Sequence, residues 1–203
     1  MRYLIWTAGL CFGIMSCNSA GSSKKPEEGQ KVIKYHSKEI GWTISIPKGY
    51  ELIGTEDLDA DTKKGLKMME GTLGTEIDAS GMKYLANFKK NQFNQFQSSI
   101  EPFDTIADGN WYEHDHMLKV LIFETFTQQG VSVDSSETET VLLSGKQFQH
   151  YTISIYAQDK QVILKQDIYG AFLNGYTFGA NINYNDSAAY KEMLQAWQSS
   201  TFQ

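Results

Sequence analysis

Trp42, Ile44 and Ile46 alternate with Thr43 and Ser45, the period-two pattern of a half-buried strand. Pro47-Lys48-Gly49 ends that strand in a turn. The period then lengthens. Over 57–70, Leu58, Leu66 and Met69 fall on one side of a helix, with Asp57 as its expected cap. Gly71, Gly74 and Gly81 mark a loop, and 84–88 and 92–100 read as strands, with Phe93 and Phe96 breaking a strict alternation. A second helix is predicted from about Asn110 to Gln128. Leu118, Leu121, Ile122 and Thr125 form its buried stripe, and Gly130 is its stop. An extended stretch over 131–143 follows.

After the turn Ser144-Gly145-Lys146 come three strands. Tyr151, Ile153 and Ile155 mark the first, and Val162, Leu164 and Ile168 the second. Tyr176, Phe178, Ala180, Ile182 and Tyr184 mark the third. Their connections are short, so an antiparallel meander is expected. Asp186 caps a last helix, in which Tyr190, Met193, Leu194 and Trp197 lie at i, i+3, i+4 and i+7. Strands, helix, strands, helix, strands, helix is the order of an α+β protein with an antiparallel sheet flanked by helices.

Two segments carry a family likeness. Gly41-Trp42-Thr43-Ile44-Ser45-Ile46-Pro47-Lys48-Gly49-Tyr50 resembles the opening strand and proline turn of the PsbP-like (Mog/PsbP) superfamily. Gly175-Tyr176-Thr177-Phe178-Gly179-Ala180-Asn181-Ile182-Asn183-Tyr184, followed by a helix and Ser199-Ser200-Thr201-Phe202, resembles its closing strand, helix and tail. The resemblance covers about 40–202 and implies an α/β/α sandwich. Members of the superfamily include an extrinsic photosystem subunit, a Ran-binding nuclear factor and bacterial lipoproteins. The resemblance therefore implies a binding or assembly role and names no reaction.

The N-terminus addresses location. Met1-Arg2, an apolar run from Tyr3 to Met15 and Ser16 have the layout of a secretory signal. The run is shorter than the ~20 residues of a spanning helix. Ile14-Met15-Ser16-Cys17 resembles the bacterial lipobox, which implies cleavage before Cys17 and acylation of its thiol. The expected organisation is a signal peptide at 1–16, a lipidated tether at 17–30 and one domain at 31–203. The tether is small, polar and broken by Pro26 and Gly29, with a mean reach of ~20 Å. Asn18 is not an acidic retention residue, and Glu27 and Glu28 come late, which favours the periplasmic side of the outer membrane.

Composition removes several chemistries. Cys11 and Cys17 are the only cysteines, so the processed chain has neither a free thiol nor a disulfide. Arg2 is the only arginine, and losing it takes the net charge from −6 to −7. Such a domain lacks arginine forks for phosphate and is a poor binder of nucleic acid. No Gly-x-Ser-x-Gly elbow or phosphate loop is present, and no cofactor is expected.

The densest ligand-type cluster is Glu113-His114-Asp115-His116. Imidazole and carboxylate suit zinc, but two residues apart on a helix point in different directions. The expectation is therefore a solvated first turn and no metal. His36 and His150 read as partly exposed sheet residues. Asp57, Asp59 and Asp61 lack the glycine and glutamate of a calcium loop and read as an acidic helix start. Phe88, Phe93, Phe96 and Phe103 sit among Asn87, Asn91, Gln92, Asn94, Gln95 and Gln97. That mixture suits a groove for a sugar or peptide, or a core face backed by solvated amides. The reading is a lipid-anchored, non-enzymatic envelope module that uses Phe93 and Phe96 to bind an envelope protein or glycan. Its rival is a small envelope hydrolase or metal-dependent enzyme.

Overall fold

A computed structural model describes residues 33–203. Cys17, the signal and the tether lie outside the described residues. The first hairpin is β1 (Ile33–Ser37) and β2 (Trp42–Ile46). The alternation of β2 is realised, with Trp42, Ile44 and Ile46 buried. The C-terminal pair β12 (Thr201–Phe202) joins the other edge of β2, giving a three-stranded antiparallel sheet. The tail is thus a strand.

Gly41 shows what holds that strand. Its φ is 63°, and a Cβ there would collide with the carbonyl of Gln203, whose N–H donates to the Gly41 carbonyl at 3.0 Å. Gly41→Ala adds left-handed strain to that collision and is expected to cost ~2 kcal/mol. Faster amide exchange at Thr201 and Phe202, with a lowered melting temperature, checks it.

The large sheet is antiparallel throughout. Its strands are β3 (Glu51–Leu52), β4 (Lys83–Tyr84), β5 (Phe88–Asn91), β6 (Asn94–Pro102), β7 (Ser132–Ser135), β8 (Glu139–Leu143), β9 (Lys146–Tyr156), β10 (Val162–Leu173) and β11 (Tyr176–Tyr184). The order is β3-β5-β6-β11-β10-β9-β7, with β4 on β6 and β8 on β9. The expected meander is β9-β10-β11. The helices are α1 (Thr55–Leu73), α2 (Trp111–Gln128) and α3 (Ser187–Gln198). No helix among the described residues is long and apolar enough to cross a membrane.

Three layers result. The three-stranded sheet and α3 cover one face of the large sheet, through Trp42, Phe96, Phe178, Met193 and Trp197. On the other face α1 and α2 pack through Met69, Leu118, Ile122, Tyr151 and Ile168. The predicted stripe of α2 is buried in full. Asp186 caps α3 by accepting from the Ala189 N–H at 2.7 Å.

Local chemistry moves several boundaries. Residues 84–88 do not form one strand. The Asn87 amide bonds to the Leu85 and Ser98 carbonyls and accepts from the Ser98 N–H, replacing ladder bonds to β6 where β4 ends and β5 has not begun. Strand β6 begins at Asn94 because the Asn91 carboxamide accepts from the Phe93 and Asn94 N–H groups and turns the chain. The stretch 131–143 is two strands on the same side of β9. Asp57 does not cap α1: the N-cap is Gly54, without a side-chain bond, and Asp57 pairs with Lys89 at 3.8 Å. The helix runs past Gly71 and stops at Gly74, whose φ of 70° closes it.

Candidate functional site

The helix layer is shorter than the sheet it covers. Strand β10 spans 12 residues, while α2 begins only at Trp111, after a loop from Phe103. One end of the sheet is therefore bare on the α2 side, and it forms an open cleft of about 800 Å³. Three separate segments wall it: 105–112, 145–149 and 172–174.

Two tight turns make its rim. Leu143 pairs with Lys146 and Leu173 with Tyr176, so each hairpin has a two-residue loop. Ser144 and Gly145 have φ of 49° and 76°, and Asn174 and Gly175 have 51° and 82°. Both central residues lie in the left-handed region, the type I′ geometry that matches strand twist. The rim is thus built from short, well-determined hairpins.

The aromatic side is equally fixed. Asn110 caps α2, accepting from the Tyr112 N–H at 2.8 Å and the Glu113 N–H at 3.4 Å. The Trp111 indole N–H donates to Thr177 Oγ1 at 3.0 Å, locking the ring against β11. Tyr112 stands edge-on to Trp111 at 5.3 Å and is 56% exposed. Phe172 packs edge-on against Phe103 at 5.8 Å yet stays 40% exposed.

The polar side holds Lys146, Gln147, Gln149 and Asn174. Gln149 donates to Thr140 Oγ1 at 3.0 Å, and Asn174 donates to the Glu39 carbonyl at 3.3 Å. Each keeps its amide oxygen available as an acceptor. Among the described residues no His, Asp or Glu lines this cleft, and Lys146 is its only cationic side chain.

The residues singled out from sequence fall elsewhere. His114 and Asp115 are buried on α2 while Glu113 and His116 are exposed, so the four do not converge. Among the described residues no group of three or more His, Cys, Asp or Glu could hold a metal ion. The first turn is thus only half solvated. His114 meets Phe103 edge-on at 5.3 Å, and burial pushes the Asp115 carboxyl up to about 7. His36 is exposed and bonds Thr43 Oγ1 at 2.9 Å. His150 bonds Glu139 at 3.0 Å and stacks on Tyr169 at 4.4 Å. Asp57, Asp59 and Asp61 lie along α1.

The predicted partner surface needs correction. Phe96 is 0% exposed, stacked on Phe88 at 4.9 Å inside the α3-side core. Phe93 sits in the β5–β6 turn and packs half-buried on the opposite face. They share no patch. Asn87, Asn94, Gln95 and Gln97 are buried too. In the same polar layer, Gln166 Nε2 donates to Asn183 Oδ1 at 2.7 Å, and Asn183 Nδ2 reaches Gln97 Oε1 at 3.4 Å. Asn87 and Gln95 bond backbone groups instead, and of the predicted amides only Asn91 and Gln92 are exposed. Sequence reasoning missed Trp111, Tyr112, Lys146 and Phe172. Its only pointers were the two left-handed turn dipeptides, which place 144–147 and 172–175 at one end of adjacent strands.

No family model matches the chain, and no curated protein matches it in sequence. Among solved structures, cyanobacterial PsbP (CyanoP) from Synechocystis sp. PCC 6803 is similar. The TM-score is 0.54 at 10% identity, over 94% of this chain and 99% of that one. The fold is PsbP-like. At that identity the likeness carries the PsbP-like architecture and leaves the cleft's ligand to be argued from its own residues.

Proposed function

We propose that this protein is a lipid-anchored module of the bacterial cell envelope that binds an envelope protein or glycan without transforming it. The observation that carries this reading is the lining of the cleft. Aromatic faces and amides converge there with one lysine, and among the described residues no His or carboxylate lines it to move a proton.

The position of the cleft supports the same reading. Asn174 on the rim holds the carbonyl of Glu39, in the turn between β1 and β2. Ile33 pairs with Ile46 at the other end of that hairpin, ~15 Å away along β1. A tether from an acylated Cys17 would join the domain at that end of the hairpin, away from the cleft. Anchoring keeps it at high effective concentration towards neighbours in the same envelope.

Two measurements test this. Cys17→Ala is expected to move the protein out of the membrane fraction, because two acyl chains supply the anchoring at ~0.8 kcal/mol per buried methylene. Retention after a high-salt wash would overturn the anchor. A photo-crosslinker at Gln147 in living cells is expected to yield a discrete adduct that the same probe at Lys34 does not give. Absence of that difference, or turnover of an ester, glycan or peptide library by the purified protein, would replace binding with another role.

A further inference from the structure

We propose that the cleft binds an acidic sugar, a pyranose carrying a carboxylate within an envelope polysaccharide. The proposal rests on the binding reading above and gives it a ligand class. A volume of about 800 Å³ lies within the ~300–1,000 Å³ typical of small-molecule sites, room for a short run of sugar rings rather than a protein domain.

Three features select the class. The first is the aromatic wall. Phe172 and Tyr112 present exposed ring surface, and both are braced from behind, by Phe103 and by Trp111. The Trp111 N–H is already committed to Thr177. These rings offer apolar faces of the kind that stack on the C–H face of a pyranose. The second is the amide set. Gln147, Gln149 and Asn174 carry donors and acceptors side by side, the pairing that vicinal hydroxyls require. The third is charge. The chain has net charge −6, yet among the described residues the lining holds Lys146 and no carboxylate. Among the described residues Lys146 enters none of the ion pairs, which use Lys83, Lys89, Lys90 and His150. A single positive head in an otherwise acidic domain suits one carboxylate.

A peptide fits less well. Peptides are commonly captured by adding a strand to a free sheet edge. Here the walls come from hairpin tips, and the strands behind them are paired on both sides: β9 with β8 and β10, and β10 with β9 and β11.

The test uses the full-length lipidated protein in detergent micelles and isothermal titration. The probes are a glucuronate-containing oligosaccharide, the same oligosaccharide with glucose in place of glucuronate, and a short acidic peptide. The expected result is ~10-fold tighter binding of the carboxylated sugar, weakened by salt, since one charge-assisted bond separates the two sugars. Lys146→Gln is expected to erase that preference while leaving the neutral sugar unchanged. Phe172→Ala should weaken both sugars alike, with an unfolding curve run beside it to confirm that the domain is intact. Lys34→Gln, on the remote strand β1, should change neither. Equal affinity for the two sugars, a preference that survives Lys146→Gln, or tighter binding of the peptide would each overturn the proposal. If neither sugar binds while the Gln147 crosslink persists, the acidic-sugar assignment falls and the binding module stands. If the crosslink is also absent, both fall.

Discussion

Trp197→Ala is expected to lower the stability of the domain by ~3–5 kcal/mol, the range for truncating a fully packed aromatic side chain. Trp197 is 2% exposed and sits where the layers meet. Its ring lies 5.2 Å from Tyr169, 5.3 Å from Phe148 and 6.0 Å from Phe96, all on the large sheet. It also lies 6.0 Å from Trp42 and 6.4 Å from Phe202 on the small sheet. Trp42 is pinned in turn by its indole N–H, which donates to Ser200 Oγ at 3.0 Å. A cavity here cannot collapse cheaply, because its walls belong to two sheets and a helix that are each hydrogen-bonded elsewhere. Stabilities of ~5–15 kcal/mol are usual for a domain, so the loss is a large share. The denaturant midpoint measures it. A midpoint unchanged by the substitution would remove Trp197 from the role of keystone between layers.

How much of this was written in the chain depends on the range of the interaction. Helix α3 and the stripe of α2 follow from i, i+3, i+4 spacing, which is local and survives into the structure. The β9-β10-β11 meander follows from alternation plus short loops. Strand β12 was not legible, since two residues have no periodicity; it exists because β2 offers a free edge and Gly41 lets Gln203 approach. The break between β4 and β5 was hidden for a related reason. One carboxamide, that of Asn87, imitates the backbone, and no pattern of hydrophobicity records that.

The site was less legible than the fold. Alternation along β6 separates its faces but does not say which side is wet. The sequence places Phe96 on the surface, yet it lies in the core; Gln95 and Gln97, read as solvated, are buried on the opposite face of β6. The cleft draws on 105–112, 145–149 and 172–174, which become neighbours only when β10 pairs with both β9 and β11. The exposed apolar residues of α2, Tyr112, Met117, Val120 and Phe123, were masked by the stronger buried stripe on the same helix. Histidine and aspartate drew attention at 113–116 because of their chemistry. In the fold that helix turn splits them between core and solvent.

The buried member of that cluster yields the second large effect. Asp115 is 4% exposed, and burial raises its carboxyl to about 7 from the ordinary 3.8, with Lys119 only partly opposing the shift. The Lys119 ammonium is held elsewhere, donating to the Ser136 carbonyl at 2.6 Å and Thr138 Oγ1 at 3.0 Å. It also lies 5.0 Å from the ring of Tyr151, whose buried hydroxyl is itself raised by burial and by Asp115. The sign follows from linkage. Below about 3.8 Asp115 is protonated in both states, and its contribution to stability is fully present. As pH rises towards 7 the unfolded chain ionises while the folded one holds its proton, so stability falls. Roughly three pH units at ~1.4 kcal/mol each set an upper bound of ~4 kcal/mol. Asp115→Asn keeps the shape and removes the titration. The variant is expected to match the native protein in denaturant midpoint at pH 4 and to exceed it at pH 8, by up to that amount. A midpoint difference that is the same at both pH values would show that the carboxyl ionises freely in the folded state and that the α2 interface is wetter than its burial implies.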